Sequence, residues 1–164
     1  MIKKLRKLEF KSLKQNIHLI EKFVDEICDD FNIFNSYFGN IIIALTEAVT
    51  NAIIHGNKNN PLKKVIVTFK SKSTGLSFSV EDEGDGFNFN NIPDPTEVTD
   101  IKIEDTQKGL FLIKSLADEV HFYESGRIVE IVFKVSSINN DITLERINQL
   151  NQYSSVKKEK SIEK

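Results

Sequence analysis

A mostly apolar run at residues 41–56, IIIALTEAVTNAIIHG, limits the fold of this chain more than any other segment. Its apolar residues recur at helical spacing, which predicts one long helix over about 36–55 with a face that packs against a core. That face holds Ile41, Ile42, Leu45, Val49, Ala52 and Ile53. Glu47, Asn51 and His55 recur at intervals of four residues, so they share another face of the helix, called the stripe below.

The stripe faces either solvent or a ligand. A solvated helix face usually mixes acidic side chains with lysine and arginine, yet neither basic residue occurs between Lys22 and Lys58. The small residues Ala44 and Ala48 flank the stripe and leave room for another molecule to approach. These two features favour a ligand over solvent.

The residue types in the stripe suit phosphate chemistry. Glu47 can act as a general base toward a water or a hydroxyl group. The side-chain oxygen of Asn51 is a hard neutral ligand of the kind that Mg²⁺ accepts while it shares phosphate oxygens. The imidazole of His55, one helical turn further on, can reach a phosphate or orient a neighbouring group.

A glycine turn, VEDEGDGF at 80–87, ends the strand predicted over 75–82. Gly84 and Gly86 permit backbone conformations and close approaches that other residues exclude. Asp82 can accept a hydrogen bond from an exocyclic amine such as that of adenine. The spacing does not match a calcium loop, and the chain has neither a P-loop nor a dinucleotide-binding glycine turn.

A third segment, TQKGLFLIKSLADEV at 106–120, predicts a helix over 109–120. Lys108 and Gly109 stand at its predicted start, and Leu110 follows them. The N-terminus of a helix offers N–H groups and a partial positive charge to phosphate. The full charge of Lys108 strengthens that expectation.

The order of the predicted elements indicates an α/β fold, a two-layer sandwich with a mixed, largely antiparallel sheet and helices on one face. The strands are predicted over 8–12, 63–72, 75–82, 120–125 and 127–136, and the helices over 16–31, 36–55 and 109–120. Residues 83–108 lack apolar periodicity, and loops of roughly 25 residues in compact domains are usually functional lids or disordered. We predict a single domain over 1–136, with a lid at 83–108, and a polar C-terminal extension over 137–164.

The composition is that of an ordinary soluble globular protein, with 40% hydrophobic and 28% charged residues. We expect no apolar run of the length of a membrane span, and the basic N-terminus lacks the apolar segment of a secretory signal. The single cysteine, Cys28, is expected to be a core thiol. The net charge of −2 gives no reason to expect nucleic acid or a membrane as a partner. We therefore expect a cytoplasmic protein.

The stripe, the glycine turn and the helix at 109–120, in this order and spacing, resemble the motifs of the GHKL superfamily of ATP-binding domains. That superfamily includes gyrase-type, chaperone-type and histidine-kinase ATPases. More narrowly, the motifs resemble those of its branch of anti-sigma-factor serine/threonine kinases. The stripe matches the first box of that branch, the glycine turn its adenine box, and the helix its post-lid helix. The resemblance covers about residues 36–135 and implies the GHKL fold, ATP and Mg²⁺.

The resemblance also implies roles for individual residues. Glu47 would be the general base, Asn51 the Mg²⁺ ligand and Asp82 the reader of adenine. The residues expected to contact the nucleotide are Asn51, His55, Asp82, Gly84, Gly86, Lys108, Gly109 and Leu110. The chain departs from the family at Lys108, where many relatives carry an arginine, and lysine lacks the bidentate fork of the guanidinium group.

Three functions are compatible with these motifs. The first is a kinase that phosphorylates a serine or threonine of a STAS-type anti-anti-sigma protein, with a sigma factor or a second copy of the chain as further partners. The second is a non-catalytic module that binds nucleotide and sequesters a regulatory partner. The third, the catalytic domain of a histidine kinase, is disfavoured because about 35 residues before the motifs leave no room for a dimerising hairpin. Glu47 favours the kinase over the module.

Overall fold

The computed structural model of the chain describes residues 5–33, 35–73, 75–87, 89 and 105–135. Most of the predicted lid at 83–108 and the C-terminal extension from 137 lie outside the described residues. The contacts of the chain separate Met1–Lys134 from Val135–Lys164. The domain boundary at 136 and the lid stay predictions.

Five strands and three α-helices make up the described part of the chain. The strands are β1 (Leu5–Lys11), β2 (Lys64–Lys72), β3 (Gly75–Asp82), β4 (Glu119–Tyr123) and β5 (Ile128–Phe133). The helices are α1 (His18–Asp30), α2 (Asn35–Asn51) and α3 (Asp105–Leu116). Shorter helical turns cover Lys14–Ile17, Ala52–Gly56 and Glu124–Gly126.

The strands form one sheet in the order β1-β2-β3-β5-β4, and each neighbouring pair is antiparallel. Helix α2 contacts β3 and β5, and it also packs against α1 and α3. The predicted α/β sandwich with a largely antiparallel sheet is confirmed. This order makes β3 the central strand, so the glycine turn emerges from the middle of the sheet.

The core lies between the helices and one face of the sheet. Residues that are directly opposite in an antiparallel pair share a face, and Val67 pairs with Val80 while Phe69 pairs with Phe78. All four are at most 1% exposed. The rings of Phe69 and Phe78 lie 5.2 Å apart, and that of Phe133 lies 6.2 Å from Phe78. Cys28 is buried, as predicted.

The boundaries predicted for the last helix are wrong at both ends. Helix α3 begins at Asp105 rather than at residue 109 and ends at Leu116 rather than at residue 120. The segment after it joins the sheet, where Glu119 pairs with Val132 and Val120 with Ile131. Pairing with β5 overrides the helical periodicity of these residues, because tertiary contacts outweigh local preference.

The expectation about apolar runs is also wrong. In length and composition the helix from Tyr37 to Gly56 meets the criterion for a membrane span. In this fold its apolar residues form the core, since Ile41, Leu45 and Val49 are fully buried. Burial between α1, α3 and the sheet therefore accounts for its apolar composition.

Candidate functional site

A cavity of about 270 Å³ opens beside α2, the glycine turn and the start of β5. The predicted site residues that line it are Asn51, His55, Asp82, Gly86 and Leu110. The apolar residues Ala48, Val80 and Val129 cover part of its wall. Largely apolar clefts with a few polar groups are typical of small-molecule sites. The fold thus brings the stripe, the glycine turn and α3 to one place.

Helix α3 lies directly against the stripe. A Cβ atom added to Gly109 would lie 2.9 Å from the Oε2 atom of Glu47 and 3.1 Å from the Nδ2 atom of Asn51. Glu47 and Asn51 are both half-buried. Ala48 lines the cavity, whereas Ala44 is fully buried and leaves no open space. The stripe therefore does not simply face solvent.

The long helix widens into one π turn at Ala52–Gly56, immediately after Asn51. The N–H group of Asn57 donates to the carbonyl oxygen of Ala52 at 2.7 Å, which is the five-residue spacing of a π turn. Such turns occur frequently at functional sites. Here the turn holds the exposed His55 at the cavity and brings Gly56 against the glycine turn.

Close packing of glycines surrounds the carboxylate of Asp82. A Cβ atom on Gly56 would lie 2.4 Å from the Oδ2 atom of Asp82, and one on Gly84 would lie 2.2 Å from the carbonyl oxygen of Gly56. Gly86 has a φ of +81°, and a Cβ atom there would lie 2.0 Å from the carbonyl oxygen of Ser125. A side chain at any of these positions would collide with the Asp82 carboxylate or with neighbouring backbone, which agrees with the prediction that Gly84 and Gly86 permit close approaches that other residues exclude.

Asp82 is a buried carboxylate, 7% exposed, at the end of β3. Its backbone N–H donates to the carbonyl oxygen of Arg127 at 3.1 Å, which ties it to β5. Its Oδ1 atom accepts a hydrogen bond from the N–H of Gly84 at 2.7 Å. Burial raises the pKa of Asp82, and the Gly84 hydrogen bond only partly opposes that rise. A further donor, such as an amine of a bound base, would stabilise the ionised carboxylate.

Contrary to the prediction from the sequence, the residues predicted to bind phosphate do not lie at the start of a helix. Because α3 begins at Asp105, Gly109 and Leu110 lie in its second turn and not at its N-terminus. The N–H groups without intrahelical acceptors belong to the first turn of a helix. Lys108 is exposed, and Leu110 is buried and lines the cavity. Four of the predicted site residues, all in the described part of the chain, do not line this cavity: Glu47, Gly84, Lys108 and Gly109.

An aromatic group and an arginine at the site were not predicted from the sequence. Phe87 and Phe122 line the cavity with their ring centroids 5.6 Å apart, and the ring of Phe89 stacks on Phe122 at 4.8 Å. Arg127 also lines the cavity, and its Nη2 atom donates to Glu124 at 2.9 Å. Pairing of β4 with β5 places Phe122, and the hydrogen bond from the N–H of Asp82 to the carbonyl oxygen of Arg127 places Arg127, so local patterns alone could not bring these two residues to the glycine turn.

The residues present fit a magnesium-bound nucleotide. The Nδ2 atom of Asn51 is buried without a hydrogen-bond partner among the described residues. Because side-chain amides are assigned from their hydrogen-bond networks, the oxygen of Asn51 can equally take that place and face a cation. No group of three His, Cys, Asp or Glu side chains within the described residues could hold a metal. Mg²⁺ suits such a site because it needs few protein ligands when phosphates and water supply the rest.

Comparison with known proteins agrees with this arrangement. Residues 10–133 match the family model of the histidine kinase-like ATPase domain. The chain belongs to the histidine kinase-like ATPase family. The matched region includes the stripe, the glycine turn and α3, so the resemblance found in the sequence is confirmed.

Individual relatives of this ATPase domain carry regulatory names. An anti-sigma F factor from Bacillus cytotoxicus is 29% identical over 136 residues, which cover 80% of this chain and 93% of the relative. An anti-sigma F factor from Anoxybacillus flavithermus is 27% identical over 129 residues, covering 76% and 88%. The serine-protein kinase RsbW of Staphylococcus aureus is 37% identical over 92 residues, covering 51% and 57%. These similarities place the domain in the anti-sigma kinase branch of the family.

Proposed function

We propose that this histidine kinase-like ATPase domain binds Mg-ATP and phosphorylates a serine or threonine of a STAS-type anti-anti-sigma protein in the cytoplasm. A sigma factor is the alternate partner in such a partner-switching system. One observation carries the proposal: Gly109 of α3 lies against Glu47 and Asn51, beside the cavity that contains Asp82. The names of the relatives, which include anti-sigma factors and a serine-protein kinase, support it.

The residues around the cavity divide the binding of the nucleotide among them. Asp82 would accept a hydrogen bond from the adenine amine, and the apolar wall around Val80 and Leu110 would cover the base. Asn51 would hold Mg²⁺, which neutralises negative charge on phosphate oxygens when it is bound. Lys108, exposed on the first turns of α3, would add a positive charge near the phosphates. His55 would contact the nucleotide from the π turn.

Glu47 would act as the general base of the transfer. It is half-buried on α2, and its carboxylate lies beside Gly109 and one helical turn before Asn51. From this position it would take the proton of the serine or threonine hydroxyl of the partner. Phosphoryl transfer depends mainly on positioning and electrostatics, so the general base contributes only part of the rate enhancement.

A mixing assay with labelled ATP and the purified STAS-type partner tests the kinase. The wild type should transfer phosphate to the partner, and Glu47→Gln should transfer it about 10²–10⁴ times more slowly because the base is lost. Its nucleotide affinity should change little, since glutamine has nearly the same shape. Glu21→Gln, which alters an exposed carboxylate on α1, is the matched control and should behave like the wild type.

The assay also separates the two remaining functions. If the wild type binds ATP and the partner but transfers no phosphate, the kinase hypothesis is wrong and the hypothesis of a sequestering module remains. If Glu47→Gln transfers phosphate at the wild-type rate, the kinase survives but Glu47 is not its base.

A further inference from the structure

Asn57, the residue directly after the π turn, is buried although it is polar. It is 1% exposed, and the described chain buries only three other polar or charged residues: Ser12, Ser77 and Asp82. Buried polar side chains are usually retained only where their hydrogen bonds are satisfied. The hydrogen-bond partners of the Asn57 side chain therefore show which segments it joins.

The amide of Asn57 joins the start of β2 to the glycine turn. Its Nδ2 atom donates to the carbonyl oxygen of Lys64 at 2.9 Å, and its Oδ1 atom accepts from the N–H of Glu83 at 2.9 Å. The carboxylate of Glu83 accepts in return from the N–H of Lys64 at 2.5 Å. Three hydrogen bonds thus form a closed ring between Asn57, Lys64 and Glu83.

This ring holds the peptide next to the buried carboxylate. Glu83 lies between Asp82 and Gly84, whose N–H donates to the Oδ1 atom of Asp82 at 2.7 Å. On the other side, Gly56 precedes Asn57 in the chain and lies against both Asp82 and Gly84. A shift of Glu83 would move the Gly84 donor and the Asp82 carboxylate together. Asn57 therefore links the π turn, which carries His55 and directly follows Asn51, to the residue proposed to read the base.

We propose that Asn57 is a positioning residue that holds Asp82 where it distinguishes adenine from guanine. The proposal rests on the proposed nucleotide function of the cavity and adds to it the residue that fixes its selectivity. Asn57 acts through Asp82 and does not itself contact the base. A hydrogen bond between Asp82 and the base requires alignment within a few tenths of an ångström. Loosening Glu83 should therefore reduce the selectivity for ATP over GTP more than it reduces the stability of the fold.

The test compares ATP and GTP affinities of the wild type and three variants by calorimetry in the presence of Mg²⁺. Asn57→Leu removes both hydrogen bonds of the amide, whereas Asn57→Asp keeps an acceptor for the Glu83 N–H. Ile27→Val, in the fully buried part of α1, is a destabilising control that leaves the ring intact. Thermal unfolding of each variant is recorded beside the affinities, so that loss of stability and loss of selectivity are separated.

We expect Asn57→Leu to weaken ATP binding about 10-fold and to lower the ATP-to-GTP affinity ratio by a similar factor. Asn57→Asp should lower the ratio less than Asn57→Leu does, since the acceptor for Glu83 remains, while its buried carboxylate beside the Lys64 carbonyl oxygen should lower the melting temperature. Ile27→Val should lower the melting temperature without changing the ratio. If Asn57→Leu does not fold, Asn57→Ser, which is too short to span both partners, takes its place with the same expected ratio.

Provided that the wild type prefers ATP to GTP, two results would overturn the inference. One is an unchanged ATP-to-GTP ratio in Asn57→Leu, or in Asn57→Ser where it replaces that variant. The other is an equal drop of the ratio in Ile27→Val, which would make the effect a consequence of lost stability. Failure of the wild type to bind ATP would instead remove the proposed function itself.

Discussion

Asp82 shows how a single residue in this protein can lower stability and serve binding. Its folded-state pKa is raised by burial, so the folded chain binds a proton at this site more tightly than the unfolded chain does. The ionised carboxylate therefore lowers the free energy of unfolding as the pH rises above the ordinary range of an aspartate. Binding residues commonly lower the stability of the folded protein, because they are selected for function.

We predict that Asp82→Asn raises the free energy of unfolding of the ligand-free protein at pH 7. Asparagine keeps an oxygen that can accept the Gly84 N–H but has no charge to bury. The gain should shrink as the pH falls toward 3, where the aspartate of the wild type is protonated. Urea unfolding at several pH values measures it, and Asp85→Asn, whose side chain is 94% exposed, is the control. A lower stability of Asp82→Asn at pH 7 would contradict this account.

Glu130 has the opposite titration on the other face of the sheet. Partial burial raises its pKa, but hydrogen bonds from Lys72, Ser77 and Tyr123 outweigh that effect and hold the pKa at about 2. Its contribution to stability is therefore present above the unfolded-state pKa and is lost as the pH falls from about 4.5 toward 2. The side chain is 14% exposed, so solvent screens the interaction only weakly.

We predict that Glu130→Gln lowers the free energy of unfolding at pH 7 by an amount on the order of 2–3 kcal/mol. The difference from the wild type should narrow steadily below pH 4.5. Urea unfolding measures both effects, with the exposed Glu21→Gln as the control. A difference that stays constant from pH 7 to pH 2.5 would mean that the Glu130 network does not titrate as described.

At the scale of elements, the contact between α2 and α3 joins the proposed base to the rest of the site. Gly109 in α3 and Gly39 in α2 both lie inside helices, where alanine is favoured over glycine by about 1 kcal/mol. They differ in their surroundings. A Cβ atom on Gly39 has nothing within 4 Å, whereas one on Gly109 meets Glu47 and Asn51.

We therefore predict that the same glycine-to-alanine substitution has different effects on phosphate transfer at these two positions. Gly39→Ala should raise the free energy of unfolding by about 0.5–1 kcal/mol and leave phosphate transfer unchanged. Gly109→Ala should displace the Glu47 carboxylate and slow phosphate transfer by about 10-fold or more, since small misplacements of catalytic groups are costly. Chemical unfolding and the labelled-ATP assay measure the two effects. Equal transfer rates in both variants would contradict the proposed role of this contact.

The elements differ in how well the sequence predicts them. The long helix with the stripe was predictable because its periodicity extends over five turns and Gly56 marks its end. The strand at 119–123 was predicted over 120–125, but the helix predicted over 109–120 ran into it because residues 117–120 continue the helical spacing of α3, and only pairing with β5 decides where the strand begins. The start of α3 at Asp105 also escaped prediction, since the apolar periodicity on which the helix was predicted begins only at Leu110.

At the scale of the whole molecule, the strand order brings the site together. The central position of β3 places Asp82 beside β5, where its N–H bonds to Arg127, and α2 packs across both strands. Asp82, Asn51 and Gly86 could be singled out from local patterns because their chemistry lies within short motifs. Arg127 and Asn57 could not, because their positions at the site depend on pairings between segments far apart in the chain.

The stripe and the glycine turn are proposed to form one adenine-nucleotide site. Calorimetric titration with ATP and GTP, with Mg²⁺ and with a chelator, measures whether they do. We expect one ATP per chain, tighter binding with Mg²⁺ and a clear preference for ATP over GTP. We also expect a loss of about 10- to 150-fold in ATP affinity for Asp82→Asn and none for Asp85→Asn. Absence of ATP binding by the wild type, or equal affinities for ATP and GTP, would contradict the proposed site.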